Sequence, residues 1–401
     1  MKLILLRDLN PFFDSSASGN RFASLVTGLK ECGVDITIAV TRGYNNPYEK
    51  KTLGREVVYK GIHIVYVGTT LNHTLWRRRV NKYMFSYLND LLLPYKLNVL
   101  LKDEYDYVWV TYNYSILNYY VKYHKHIRNS LIEINEFHDI YKQIVHSNRA
   151  QLVIAQKTEQ VFLKAVKHIT TFAIMTRKLL DYHKTISNKK GSYLHLPMTV
   201  DMSRFTIAKD NGVERYIAFA GSLANRKDGV DILIEAFKLI ATKYPDVKLY
   251  LAGNYHPDMK MQKTLIEKYG LQNRVKYCGL LSRDEIPAFF VNATVLALPR
   301  PDSHQAQGGF PTKLGEYLAT CNPVCATKVG EIPDYLEDNV SAFMATPGCI
   351  DSFADALDRA LANREMAQQI GRMGYYIAKK NFDMEIQTKR LYDFLNNNLK
   401  K

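Results

Sequence analysis

The chain has 401 residues, 47% hydrophobic and 23% charged, with a net charge of +15 at neutral pH. That length allows two or three domains, the composition excludes a disordered chain, and no apolar run reaches the roughly 18 to 20 residues that cross a bilayer. Five cysteines without a C-x-x-C pair or histidines at zinc spacing exclude a disulfide scaffold and a zinc module.

From the amino terminus, residues 2–6 are a short apolar run suited to a buried parallel strand, and Arg7, Asp8 and Asp14 follow too early for a signal peptide. The expected compartment is the cytoplasm. A polar loop containing Gly19 leads to a helix predicted over residues 20–31, where Phe22, Leu25, Val26 and Leu29 share one face and Gly33 is the stop signal. Residues 34–40 read as the next strand, which completes a strand-helix-strand unit. Residues 41–79 show nothing specific and are expected to be loops.

Positive charge is concentrated in the first half. Residues 1–200 hold 28 lysines and arginines against 15 acidic residues, a balance of +13, whereas residues 201–401 balance at +2. Within the first half, Arg77, Arg78, Arg79 and Lys82 interleave with Trp76, Tyr83 and Phe85, and the pattern continues through Tyr87, Leu88 and Leu91 to Leu93. Such a segment suits an anionic membrane surface, the bland alternative being a solvated helix face over the core. Tyr107–Val110 and residues 131–134 read as further strands.

A second unit of the same kind begins at residues 216–220, a strand that runs into a loop at Gly221. A helix is predicted over residues 229–243, with Val230, Leu233, Ile234, Phe237 and Ile240 at helical spacing, and strands over 247–252, 275–278 and 293–298. Alternating strands and helices predict an α/β chain with two doubly wound parallel sheets, which bind ligands outside the carboxyl ends of their strands. Residues 307–319 read as a flexible loop opening into a helix. Gly308, Gly309 and Phe310 are expected to offer backbone amides to a phosphate, with Pro311 near the first turn, Thr312, Lys313 and Leu314 at the helix start, and Glu316 one turn further in, aimed at a ribose. An ordinary amphipathic helix is the competing reading.

These segments resemble the retaining glycosyltransferases of family 4, with the two-domain GT-B fold. The likeness rests on the connector from Pro197 to Phe205, the run from Gly221 to Gly229, the run from Pro311 to Ala319, and Asn322 to Thr327 followed by Gly330, Glu331 and Ile332. It implies two Rossmann-like domains facing across a cleft: residues 1–198 for the acceptor and 199–380 for a nucleotide-activated sugar, with a last helix in 381–401 returning to the first domain. It also implies that Lys227 touches the donor phosphates and that Glu316 binds the ribose. Two positions depart from the family pattern, Gly308 where a second glutamate is usual and Ser222 where arginine is common. Arg226 and Lys313 then join Lys227 at the phosphates, Gln305 and Gln307 are candidates to replace the missing carboxylate, and the sugar is left open. In the first domain His138 corresponds to the family's histidine beside the reacting sugar, unless it is a structural cap with Asp139. Glu136, Asp139, Gly19 and Asp8 are expected on the acceptor side.

The expected activity is sugar transfer from a nucleoside diphosphate sugar to an acceptor hydroxyl with retention, on a lipid-linked glycan of a bacterial envelope pathway. Peripheral attachment to the inner face of the cell membrane is expected. No metal or other cofactor is expected, because no Asp-x-Asp signature stands in a suitable loop. A nucleotide-sugar epimerase of the same fold and a basic nucleic-acid-binding protein are the alternatives. The basic first half favours transfer over epimerisation, and a nucleic-acid partner leaves the phosphate-binding segment unexplained.

Overall fold

The computed structural model describes residues 1–14, 16–42, 56–68, 86–137, 149–210, 212 and 214–400. Two compact units divide the chain, Met1–Leu196 with Thr388–Lys401, and Pro197–Gln387.

The first unit runs β1 (Lys2–Arg7), α1 (Ala17–Glu31), β2 (Asp35–Val40), β3 (Glu56–Tyr59), β4 (Ile62–Tyr66), α2 (Ser86–Leu100), β5 (Tyr107–Val110), α3 (Tyr114–Tyr123), β6 (Ser130–Ile134), α4 (Arg149–Ala165), β7 (Thr171–Ile174), α5 (Arg177–Ile186) and β8 (Ser192–His195). Its sheet has the order β3-β4-β2-β1-β5-β6-β7-β8, parallel except where β3 meets β4. Strict alternation along β1 builds two layers. Leu3 and Leu5 pack with Phe22, Leu25 and Leu29 of α1, while Ile4 and Leu6 pack with Leu93 and Leu97 of α2 and Ile116 and Leu117 of α3. Each such fully buried leucine contributes about 2 kcal/mol.

Three expectations need correction here. The segment expected to be loops contains the β3–β4 hairpin, because Lys60 and Gly61 both hold positive φ (51° and 71°) in a two-residue turn between β-branched runs. Helix α1 begins three residues earlier than its apolar face suggests, since Ser16 accepts the Gly19 N–H at 3.0 Å. Gly19 is therefore a helical residue, and a Cβ there would lie 2.2 Å from the Asp14 carbonyl oxygen.

The second unit runs β9 (Tyr216–Ala220), α6 (Asn225–Asp228), α7 (Val230–Ile240), β10 (Lys248–Ala252), α8 (Met259–Lys268), β11 (Val275–Gly279), α9 (Ile286–Val291), β12 (Val295–Leu298), α10 (His304–Gly308), α11 (Thr312–Ala319), β13 (Val324–Thr327), α12 (Ile332–Tyr335), β14 (Phe343–Ala345), α13 (Ile350–Ala362) and α14 (Arg364–Phe382). All its strands are parallel, in the order β11-β10-β9-β12-β13-β14. From β9 the chain runs outward through β10 to β11 and then crosses back to β12 on the other side of β9, so the sheet's switch point lies between β9 and β12, where Ala220 passes into Gly221. The last helix, α15 (Met384–Leu399), starts in the second unit, and its Leu391 and Leu395 join the core of the first. Among the described residues no helix is long and apolar enough to cross a membrane.

Candidate functional site

The β9–α6 loop is fixed from below by α8. Gln262, fully buried, donates to the Leu223 carbonyl at 2.8 Å and to Asn225 Oδ1 at 2.7 Å, and Asp258 accepts the Asn225 N–H at 2.8 Å. Gly221 donates its N–H to the Ala252 carbonyl at 2.9 Å. At Gly229 the chain turns through φ +68°, and a Cβ there would stand 2.1 Å from the Pro299 carbonyl oxygen. A glycine is required at that turn. It leaves Asp228 buried and Arg226 and Lys227 exposed on α6.

Lys313 comes to the same place from α11. Its ammonium lies 3.0 Å from Asp228 Oδ1, the two side chains only 16% and 6% exposed, and 4.5 Å from the centre of the Phe219 ring. Beyond these contacts it has no hydrogen-bond partner among the described residues. Burial pushes its pKa down, with Arg300 and Lys227 adding repulsion and Asp228 opposing the shift. A Cβ at Gly221 would lie 2.1 Å from this ammonium, so Gly221 and Lys313 share one space.

The segment ahead of α11 is less loop-like than expected. Ser303 caps α10 by accepting the Ala306 N–H at 3.1 Å, which places Gln307 and Gly308 inside a short helix. The Gly309 N–H is then committed to the Gln305 carbonyl at 2.9 Å, and Phe310 is buried against Tyr335 and Phe382. Pro311 is the extended residue before α11 and not part of its first turn. No side chain caps α11. Its first amides, those of Thr312 and Lys313, have no partner within the helix by its geometry, while Leu314 donates to Pro311 at 3.0 Å. The amides left open at the start of α11 are thus those of Thr312 and Lys313, and not that of Gly309. Gln307 gives its amide to Asp302 Oδ1 at 2.6 Å, and Ser222 is half-buried in the β9–α6 loop.

Three successive residues of α11 have separate tasks. At Gly315 a Cβ would meet Met198 Cε at 2.3 Å, so the bare position lets the connector lie on the helix. Tyr317 accepts the Ala220 N–H at 3.1 Å and ties α11 to the end of β9; burial raises its hydroxyl pKa. Glu316, 24% exposed, accepts from Arg204 at 3.3 Å. Burial pushes its pKa up, opposed by Arg204, Arg283 and Lys313. No sequence pattern marks the Arg204 contact, which joins residues 112 apart.

On the first unit, His138 and Asp139 lie outside the described residues. Glu136 is half-buried two residues past β6. Neighbouring Glu133 pairs with Arg21 in the interior, and Arg21 also donates to the Leu196 carbonyl at 3.0 Å, a structural role. Asp8 stands 3.9 Å from the exposed Arg42.

The family model described as Glycosyl transferases group 1 matches residues 204–376, most of the second unit. Among curated relatives, the lipopolysaccharide 1,2-N-acetylglucosaminetransferase of Salmonella typhimurium is 26% identical over 44% of this chain and 46% of its own length. The chain spans about half the length of the curated relatives it matches. Sucrose-phosphate synthase from Thermosynechococcus elongatus superposes with a TM-score of 0.75 at 15% identity, over 99% of both chains. Anabaena HepE, crystallised with UDP and glucose, superposes at 0.69 and 16% identity, over 99% of this chain and 100% of its own. The structural likeness shows the GT-B fold, and the second unit is similar over residues 204–376 to the glycosyl transferases group 1.

Proposed function

We propose that this chain is a retaining glycosyltransferase that moves a sugar from a nucleoside diphosphate sugar to an acceptor hydroxyl on a lipid-linked glycan. The observation that carries the reading is the uncapped start of α11 at the β9/β12 switch point, with the Lys313–Asp228 pair beneath it and Glu316 one turn on. That spacing suits a diphosphate followed by a ribose. HepE, of the same fold, holds UDP, and the Salmonella relative is named for lipopolysaccharide.

Cleaving the glycosyl–phosphate bond builds negative charge on the leaving diphosphate and positive charge on the ring. Lys313, Lys227 and the α11 amides neutralise the first by charge and hydrogen bonding alone, with Arg226 at the rim and no metal or cofactor in this reading. The leaving phosphate assists removal of the acceptor proton on the face it departs from, which preserves the anomeric configuration. His138, Glu136, Asp139 and Gly19 are the proposed acceptor-side residues. To test this, the purified chain is screened for thermal stabilisation by UDP- and GDP-sugars, and the anomer of the transferred sugar is read by NMR. A stabilising donor and a retained anomer are expected; an inverted product, or isomerised donor without any acceptor, ends the reading.

An anionic membrane surface is part of the proposal. On α2, Leu91 (59% exposed), Leu92, Tyr95 (71%) and Val99 turn outward while Leu93 and Leu97 face the core. An exposed apolar stripe on the strongly basic half of the chain suits lipid headgroups. Leu91→Ser/Tyr95→Ser should lower co-sedimentation with phosphatidylglycerol vesicles several-fold without changing nucleotide affinity. Unchanged co-sedimentation removes α2 from the interface.

A further inference from the structure

We infer that Arg204, in the connector ahead of the second sheet, is the positioning residue that fixes the Glu316 carboxylate for a ribose; this rests on the nucleotide reading above. The connector forms a single 3-10 turn, Met202–Phe205, capped by Asp201, which accepts the Ser203 N–H at 3.1 Å. Met202 and Phe205 are buried, and Phe205 stacks on Phe290 with ring centres 6.5 Å apart. The backbone that carries Arg204 is therefore anchored on both sides. From it the guanidinium makes two divergent bonds: Nη1 to Glu316 Oε1 at 3.3 Å and Nη2 to the Arg283 carbonyl at 2.7 Å. Two bonds in one plane restrict the head group in a way a single contact does not.

Glu316 is held through one oxygen only. Its Oε2 takes no hydrogen bond from the described residues, which leaves an acceptor for vicinal hydroxyls. The carboxylate serves that task when ionised, and its surroundings work against ionisation because burial favours the neutral acid. The charged groups facing it are Arg204 from the connector, Arg283 from the segment before α9, and Lys313 one turn back on α11, with Asp201 and Asp284 facing Arg283 in turn. Arg204 is the one in contact. The clamp thus does two jobs, orienting Oε2 and favouring the ionised form against burial.

The test is calorimetric titration of the full chain with UDP and with GDP between about pH 6 and pH 8.5, a window above the ordinary carboxylate range. Arg204→Gln should weaken binding about tenfold near neutrality, the value of one charge-assisted hydrogen bond. The deficit against wild type should deepen as the pH falls, because Glu316 without the guanidinium takes up its proton at a higher pH. Titration of the nucleotide phosphate is common to both proteins and cancels in the ratio. Arg204→Lys should restore part of the affinity, and Arg204→Gln should add nothing to Glu316→Gln. Wild-type affinity for Arg204→Gln across the pH range, or a full additional loss in the Glu316→Gln background, overturns the clamp. If the glutamine variant does not fold, Arg204→Lys carries the comparison: weaker binding at an unshifted Tm supports the clamp and unchanged binding overturns it. Wild-type affinity for Glu316→Gln, or a wild-type chain that binds neither nucleotide, instead removes the ribose assignment, and the clamp with it.

Discussion

The two sheets end in helices that treat their first amides differently. In the first unit, the described helices that follow β1, β5 and β7 are all closed by side chains: Ser16 accepts the Gly19 N–H, Asn113 those of Ser115 and Ile116, and Thr176 that of Leu179. In the second unit, α6 and α7 follow Ala224 and Gly229, and α11 follows Pro311, none with a side-chain cap, whereas α10 is capped by Ser303 and α14 by Asn363. Buried cations do not distinguish the units. Arg7 at the end of β1 is paired with Asp14 at 2.6 Å, as Lys313 is paired with Asp228. What differs is whether the protein uses its own helix donors or leaves them for a ligand. The proposed anion site in the second unit rests on that contrast more than on the lysines.

The sharpest way to break the comparison is to set a buried lysine against an exposed one. Lys313→Met removes the partner of a carboxylate that is 6% exposed, and an uncompensated buried charge costs about 3 to 5 kcal/mol. A fall in Tm on the order of 10 °C is expected, together with loss of transfer of at least about 100-fold. Adding Asp228→Asn should recover most of the stability and none of the turnover. Lys227→Ala should lose turnover by about 100-fold through the same electrostatic mechanism while Tm stays within about 1 °C, because the side chain is exposed. Thermal unfolding and a transfer assay on the same preparations decide it. Equal Tm for both single variants would show that the Lys313–Asp228 pair has no structural weight, and full activity of Lys227→Ala would move the phosphate site away from α6.

Much of this arrangement was legible before the structure because it depends on local chemistry. Strand runs such as residues 216–220 are apolar throughout, as strands covered on both faces must be, and Gly229 and Glu316 stand where backbone geometry and helix spacing put them. The contacts that escaped notice are tertiary. Arg204 with Glu316 and Lys313 with Asp228 join residues far apart in the chain, and no periodicity records which cation meets which carboxylate. Gly308 and Gly309 misled for a local reason. Two adjacent glycines suggest an open loop, yet Ser303 supplies a cap five residues earlier, and that single hydrogen bond converts the approach to α11 into a helix. The β3–β4 hairpin was missed because Lys60, not asparagine or aspartate, precedes Gly61 in its turn.

The smallest expected effect bears on the capped side of the comparison. Ser16 stands immediately before α1, a 15-residue helix whose Phe22, Leu25, Val26 and Leu29 hold one layer of the first unit. Ser16→Ala strands the Gly19 N–H and should cost about 1 kcal/mol, a fall in Tm of roughly 2 to 4 °C. Nucleotide affinity should not move, since the donor set free belongs to the unit outside the proposed diphosphate site. If nucleotide affinity changes with this cap, α1 also contributes donors to the anion, and the division between a self-satisfied sheet end and a ligand-facing one fails.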